Sequence, residues 1–143
     1  MPASALVSDW LDRLQTQGCR LTVARQAVVE IIAASPRVLD TFEVFEQAKK
    51  RCPGLGLVTV YRTVEKLEEL GLIQRVHQPS GCHAFVAAST GHQHLLICEA
   101  CGRVSFFSGD TLEGLIDDVG VQSGFRIQEH WLQLFGVCEE CQR

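Results

Sequence analysis

Apolar positions recur along this chain with two different periods, and the change from one to the other divides it. Leu6, Trp10, Leu11 and Leu14 fall on one helix face and stop short of Gly18, a residue able to end a helix in the left-handed conformation. A second helix carries Ala27, Val28, Ile31 and Ile32; it opens on the capping hydroxyl of Thr22 and must close before Pro36. Asp40 with Glu43 forms a capping box at the head of TFEVFEQAKKRC, whose Val44, Phe45 and Ala48 face inward. After the punctuation from Pro53 to Gly56, LVTVYRTVEKLEELG carries Val60, Val64 and Leu67 in a stripe and stops at Gly71. Beyond it LIQRVHQPSGCHAFVA predicts two short strands around Pro-Ser-Gly, a hairpin.

Short helices followed by a β-hairpin is the order of a winged helix-turn-helix, in which the helix before the wing enters the major groove with its N-terminal turn facing the DNA. Thr59, Tyr61, Arg62 and Thr63 sit on that turn and are candidate contacts to double-stranded DNA, although the helix pattern alone fits a solvated surface equally well. The C-terminal part has the grammar of a small α/β unit. HLLIC and GRVSFF read as strands, DTLEGLIDDVG as a short helix capped by Asp110, and FRIQEHWLQLFGVC as one long strand. An apolar sheet with exposed edges pairs with something; a homodimer would close it and relate two DNA-reading helices by a two-fold axis. The expected fold is therefore α+β, with a winged-helix DNA-binding domain over 1–86 and a small α/β dimerisation domain over 87–143.

Composition narrows the class. A hydrophobic share of 46% with 21% charged residues is that of a soluble globular chain. No apolar run approaches the roughly 18 residues of a membrane span, so no membrane partner is expected. The N-terminal MPASALVSDWLDRL carries acids where a secretory signal needs a basic region and an apolar block, which leads us to expect a cytoplasmic protein. Charge is uneven: residues 1–76 hold ten Lys/Arg against nine Asp/Glu, residues 77–143 three against eight. The N-terminal part is thus the better nucleic-acid binder of the two, on an excess that a mixed-charge surface would also show.

Seven cysteines are an odd number for a disulfide framework, and four of them form two Cys-x-x-Cys pairs. Cys98, Cys101, Cys138 and Cys141 supply the full complement of a closed tetrahedral zinc site. A redox motif, the alternative, needs only one pair. Since four thiolates leave no vacancy, His92 and His94, two apart and hence on one face of an extended segment, belong to another metal if they bind one. A lone His-x-His is a weak motif, and two ordinary polar residues are the competing reading. Cys19 and Cys52 have no local partners and read as packing residues.

Taken together, LT..R at 21–25, TVYRTVEKLEELGLI at 59–73, HQHLLICEACGRV at 92–104 and the final CEEC resemble the ferric uptake regulator family of metal-dependent repressors. The resemblance spans nearly the whole chain. It implies DNA binding by a metal-controlled dimer, DNA contacts at Tyr61 and Arg62, and phosphate contacts at Arg20 or Arg25. It implies a structural zinc at the four cysteines and a four-ligand site made of His92, His94, Glu113 and His130. One departure matters. The family's inter-domain sensing site uses the opposite parity of the histidine-rich strand, where this chain has Gln93 and Leu95, so the iron- and peroxide-sensing patterns are incomplete.

His77, Cys82 and His83 flank the hairpin turn instead, with His77 and Cys82 expected to face each other across it. Nitrogen with thiolate suits zinc better than ferrous iron, and the closest likeness is to the family's zinc-sensing members. These three residues are the candidate inter-domain sensor; the competing reading is a half-buried small residue at Cys82 and a surface histidine at His77. The function expected is a zinc-sensing regulator of metal-uptake genes, with Zn2+ in structural and regulatory roles. An iron or peroxide sensor of the same family is one alternative. A zinc hydrolase, with an open His92/His94/His130 site and Glu113 as general base, is the alternative from another class, and no enzyme is expected because every ligand set is filled by protein.

Overall fold

The computed structural model describes residues 3–78, 80–81 and 83–143, which form two compact units, Met1–Ala88 and Ser89–Arg143. The architecture is α+β. Among the described residues no helix is long and apolar enough to cross a membrane.

The N-terminal unit contains α1 (Ala3–Thr16), α2 (Val23–Ala34), β1 (Leu39–Asp40), α3 (Thr41–Arg51), α4 (Leu57–Glu69), β2 (Ile73–His77) and β3 (His83–Ala87). Its helices begin where local chemistry satisfies the free amides of the first turn. The Arg25 amide donates to the Thr22 hydroxyl at 3.1 Å, and Asp40 and Glu43 exchange backbone-to-carboxylate hydrogen bonds at 2.8 and 3.0 Å. Gly71, with φ +67°, turns the chain out of α4. Trp10, Leu14, Val28, Ile32, Val44, Val60 and Leu67 are fully enclosed and make one core shared by all four helices. Cys19 and Cys52, half-buried, pack against it, as expected of spacer residues.

The hairpin forms where the alternation predicts it, but gains a third strand. β1 pairs with β3 (Leu39 with Phe85), giving the order β1-β3-β2. Two residues are too short a stretch for any period to announce. The register also sets His77 opposite His83. The expected partner of His77, Cys82, lies outside the described residues, as does Pro79 of the turn.

The C-terminal unit contains β4 (His94–Cys98), β5 (Val104–Phe107), α5 (Leu112–Ser123), β6 (Gln133–Gly136) and a final 3-10 turn, Glu139–Gln142. β4 is central, antiparallel to β5 and parallel to β6. Two sequence expectations are corrected. Asp110 does not cap α5: Thr111 holds the N-cap position in a helical conformation without a side-chain bond, because the chain enters through a turn closed by the Leu112 amide on the Gly109 carbonyl. The long strand expected over 125–138 shrinks to Gln133–Gly136, the stretch with β4 alongside. Upstream of it Phe125 and Trp131 alternate as a strand would, yet lie largely exposed.

Candidate metal centres and nucleic-acid face

One strand pairing builds both metal-ligand clusters. Because β4 and β6 run parallel, with Leu95 opposite Gln133 and Cys98 opposite Gly136, their starts lie side by side and so do their ends. At the starts, His92 and His94 meet His130; at the ends, Cys98 and Cys101 meet Cys138 and Cys141. Within each set all ligand atoms fall within 4.8 Å of one another. His94 and Cys98 stand four residues apart on one strand, about 13 Å, so the two sets are separate sites.

The cysteine set has the dimensions of a tetrahedral site. Metal–sulfur bonds of about 2.3 Å imply sulfur–sulfur edges of about 3.8 Å, and the Cys101 and Cys138 sulfurs are 3.8 Å apart. Both pairs sit in tight turns just past a strand. The Gly102 amide donates to the Cys98 carbonyl at 2.8 Å and the Cys141 amide to the Cys138 carbonyl at 2.9 Å. The Cys138 amide donates to the Cys98 sulfur at 3.3 Å. That amide, with those of Cys101 and Ala100, pulls the Cys98 thiol down to about 6, so it is a thiolate at neutral pH. Hydrogen bonds to the Cys138 and Cys101 sulfurs, then burial, push the Cys141 thiol up to about 12.

The histidine set carries its own evidence of fit. His94 is 3% exposed and its Nε2, buried, has no hydrogen-bond partner among the described residues. An unpaired buried ring nitrogen is costly, and a cation between the three rings would satisfy it. Burial, then the proximity of His92 and His130, lowers the His94 pKa, which favours the neutral ring that a metal needs. The His92 and His130 Nε2 atoms are 2.8 Å apart, close enough for one to donate to the other. Gly109 packs against this cluster: a Cβ there would come within 2.5 Å of His94 Cδ2. Glu113 does not join the three rings; it lies exposed on the first turn of α5 and is not among the atoms gathered within 4.8 Å.

Sequence reasoning missed Arg103, which bridges the two cysteine loops through Glu140 at 3.0 and 2.8 Å. An arginine two residues past one pair and an acid inside the other was the available signal. On the hairpin, the His83 Nδ1 lies 3.3 Å from Arg75 Nη1, while Arg75 also holds both oxygens of Glu68.

The candidate DNA-contacting residues divide sharply. Tyr61, 52% exposed, and Arg62 project from the first two turns of α4, and Thr59 is half-exposed. Thr63 is not on that surface. It is fully buried, with its hydroxyl donating to the Thr59 carbonyl at 2.7 Å, since it follows Val60 on the inward face. Arg25 is turned inward, donating to the Arg20 carbonyl at 2.6 Å and to the Thr63 hydroxyl at 3.4 Å, whereas the Arg20 side chain is exposed.

Comparison with known proteins bears on the fold and the family. The model of the ferric uptake regulator family matches residues 16–135. The ferric uptake regulation protein of Cupriavidus metallidurans is 33% identical over 126 residues, covering 87% of this chain and 88% of that protein. The protein of the same name from Neisseria meningitidis is 27% identical over 131 residues, 91% of each. A zinc uptake regulator solved with zinc and DNA superposes with a TM-score of 0.76 at 19% identity, over 99% of this chain and 96% of that one, a likeness of fold. Nothing supports the hydrolase alternative. The chain belongs to the ferric uptake regulator family, and is accordingly a metal-responsive transcription regulator and not an enzyme.

Proposed function

We propose that the chain is a zinc-responsive repressor of metal-uptake genes that binds its operator as a homodimer, in the cytoplasm where that DNA is. The observation that favours zinc over iron or peroxide sensing is Leu95. The parity of the histidine-rich strand that the iron and peroxide patterns need as ligands holds Gln93, exposed, and Leu95, 0% exposed in the sheet core. Neither can supply an imidazole. Four thiolates, by contrast, are a donor set that suits zinc.

The roles divide along the chain. Residues 1–86 act as the winged-helix reader, with Thr59, Tyr61 and Arg62 facing the major groove and Arg20, supported by Arg25, at the phosphates. Residues 87–143 pair with a second copy. This unit leaves Val121 85% and Trp131 79% exposed, along with Leu115, Val119 and Phe125, and no residue of α5 is buried. Such a surface is that of a unit completed by association. Cys98, Cys101, Cys138 and Cys141 hold a structural zinc, and His92, His94 and His130 a second ion.

Sensing is assigned to the hairpin. His77 and His83, directly paired across β2 and β3, present two imidazoles on one face, and Cys82, which precedes His83 in the sequence, is the proposed thiolate donor. A bound zinc supplies a cross-link whose differential affinity for one conformation shifts the population toward it. His83 must release Arg75 to accept such a ligand, and Arg75 retains Glu68 when it does.

Binding of a fluorescent duplex, selected from a randomised pool, by protein stripped of metal at the labile sites and then reloaded with zinc, iron(II) or manganese(II) tests the reading. Zinc should restore high affinity at the lowest free metal. Restoration by iron(II) or manganese(II) in preference to zinc would overturn it.

A further inference from the structure

The outward face of α4 changes character along its length. Its solvent stripe runs Val58, Tyr61, Arg62, Glu65 and Glu69, at helical spacing, opposite the buried stripe of Val60, Val64 and Leu67. The second half is acidic. Glu65, Glu68 and Glu69 crowd its last turns, where phosphates would be repelled, even though Lys66 and Arg75 pair two of them. Only the first half can approach DNA closely. There the most exposed apolar side chain is Val58, 61% against 39% for Leu57 before it, on a helix whose opposite face is packed.

A branched apolar side chain at the front of a DNA-reading helix gains nothing from phosphate or from base-edge donors and acceptors. The apolar feature that the major groove offers is the thymine 5-methyl group. Val58 and Tyr61 are three residues apart, about 4.5 Å along the axis, which lies between one and two base-pair steps of about 3.4 Å, so the two side chains can address different bases of one half-site. Val58 is absent from the polar contact set that the sequence points to, because an exposed valine carries no hydrogen-bonding signature.

We propose that Val58 is a specificity-determining residue that reads a thymine methyl in each half-site of the operator. The inference rests on the DNA-binding function proposed above, and the experiment separates their failures. Duplexes are selected from a randomised library with the zinc-loaded full chain, and each thymine of the selected site is replaced singly by deoxyuridine, which removes the methyl and leaves pairing intact. Wild type should lose about three- to fivefold in affinity at one or more thymines per half-site, the scale of one buried methyl. Val58→Ala should bind the parent duplex more weakly by a similar factor, show no further loss at that thymine, and keep the wild-type dependence on salt, since no phosphate contact is removed. Val58 is exposed, so the variant should melt with the wild type. If deoxyuridine weakens Val58→Ala as much as wild type at every position, the inference is wrong while DNA binding stands. If no duplex is enriched at all, the functional reading itself fails and takes the inference with it.

Discussion

The guanidinium of Arg103 grips both carboxylate oxygens of Glu140, at 3.0 and 2.8 Å, and so ties the loop after Cys101 to the turn between Cys138 and Cys141. Exposed as both side chains are, the pair by itself stabilises the fold little. Its place gives it another use. The Arg103 cation, held charged chiefly by Glu140, also interacts with the Cys138 and Cys101 sulfurs, and a zinc held by four thiolates carries a net double negative charge that a neighbouring cation offsets.

Arg103→Ala should therefore retain its zinc at equilibrium yet surrender it several-fold faster to a competing chromogenic chelator, with Glu140→Gln in between, because it loosens the loops and leaves the cation. Release at the wild-type rate from both variants would show that the bridge has no bearing on the site.

The cysteines themselves should matter far more. Binding energy at a structural zinc is largely folding energy, about 10–16 kcal/mol in small zinc domains, and the C-terminal unit has little core of its own beyond Leu95, Ile97 and Cys98. Cys101→Ser or Cys138→Ser should drop zinc content by one ion per chain and abolish the unfolding transition of that unit. Helical signal from the separately packed N-terminal unit should persist. Unchanged zinc content and melting in either variant would refute the four-thiolate assignment.

The N-terminal unit was legible because its punctuation is local: a hydroxyl at Thr22, an acid pair at Asp40 and Glu43, and a glycine at Gly71 each act within four residues. Tertiary choices were not. The apolar alternation from Phe125 to Trp131 is the same whether its partner is a strand of this chain or a second copy, and only Gln133–Gly136 finds β4. Thr63 looked available because polar residues at a helix start usually are, but its position after Val60 turns it inward. The gathering of the two cysteine pairs was readable without geometry, since two Cys-x-x-Cys motifs together offer a tetrahedral donor set, and their four sulfurs do lie within 4.8 Å of one another. Glu113 came by likeness to a family pattern, and the fold leaves it outside the three rings.

Gly109 offers a test of the histidine cluster that touches no ligand. Its φ of +65° is unfavourable for other residues, and an added Cβ would lie 2.5 Å from His94 Cδ2 and 2.9 Å from both His94 Nε2 and Leu112 Cδ1. Gly109→Ala should displace the His94 ring and lose the ion there while the four-thiolate zinc remains. Gly124→Ala is the control, with φ +74° and nothing within 4 Å: it should cost stability alone, about 1–2 kcal/mol for the left-handed backbone. Equal metal content in the two variants would mean that the three rings do not form a site.

The final prediction concerns which histidines sense. His92, His94 and His130 are joined by the β4–β6 pairing, so an ion there firms a unit that does not contain α4. His77 and His83 are joined across β2 and β3, in the sheet that packs against α4, where β2 follows α4 directly. Ligands on this hairpin can therefore bias the DNA-reading unit itself. His77→Ala and His83→Ala should leave a folded dimer with its four-thiolate zinc, because both side chains are exposed. A zinc-induced gain in DNA affinity of ordinary allosteric size, about 5- to 150-fold, should largely vanish in each of them. His130→Ala should also weaken the response, but through a loosened C-terminal unit, and so with a lower melting temperature. Anisotropy titrations with zinc, run beside thermal melts of the same samples, distinguish the two routes. Should both hairpin variants keep the full zinc response while His130→Ala abolishes it without a loss of melting temperature, sensing belongs to the three-histidine cluster and the hairpin assignment fails.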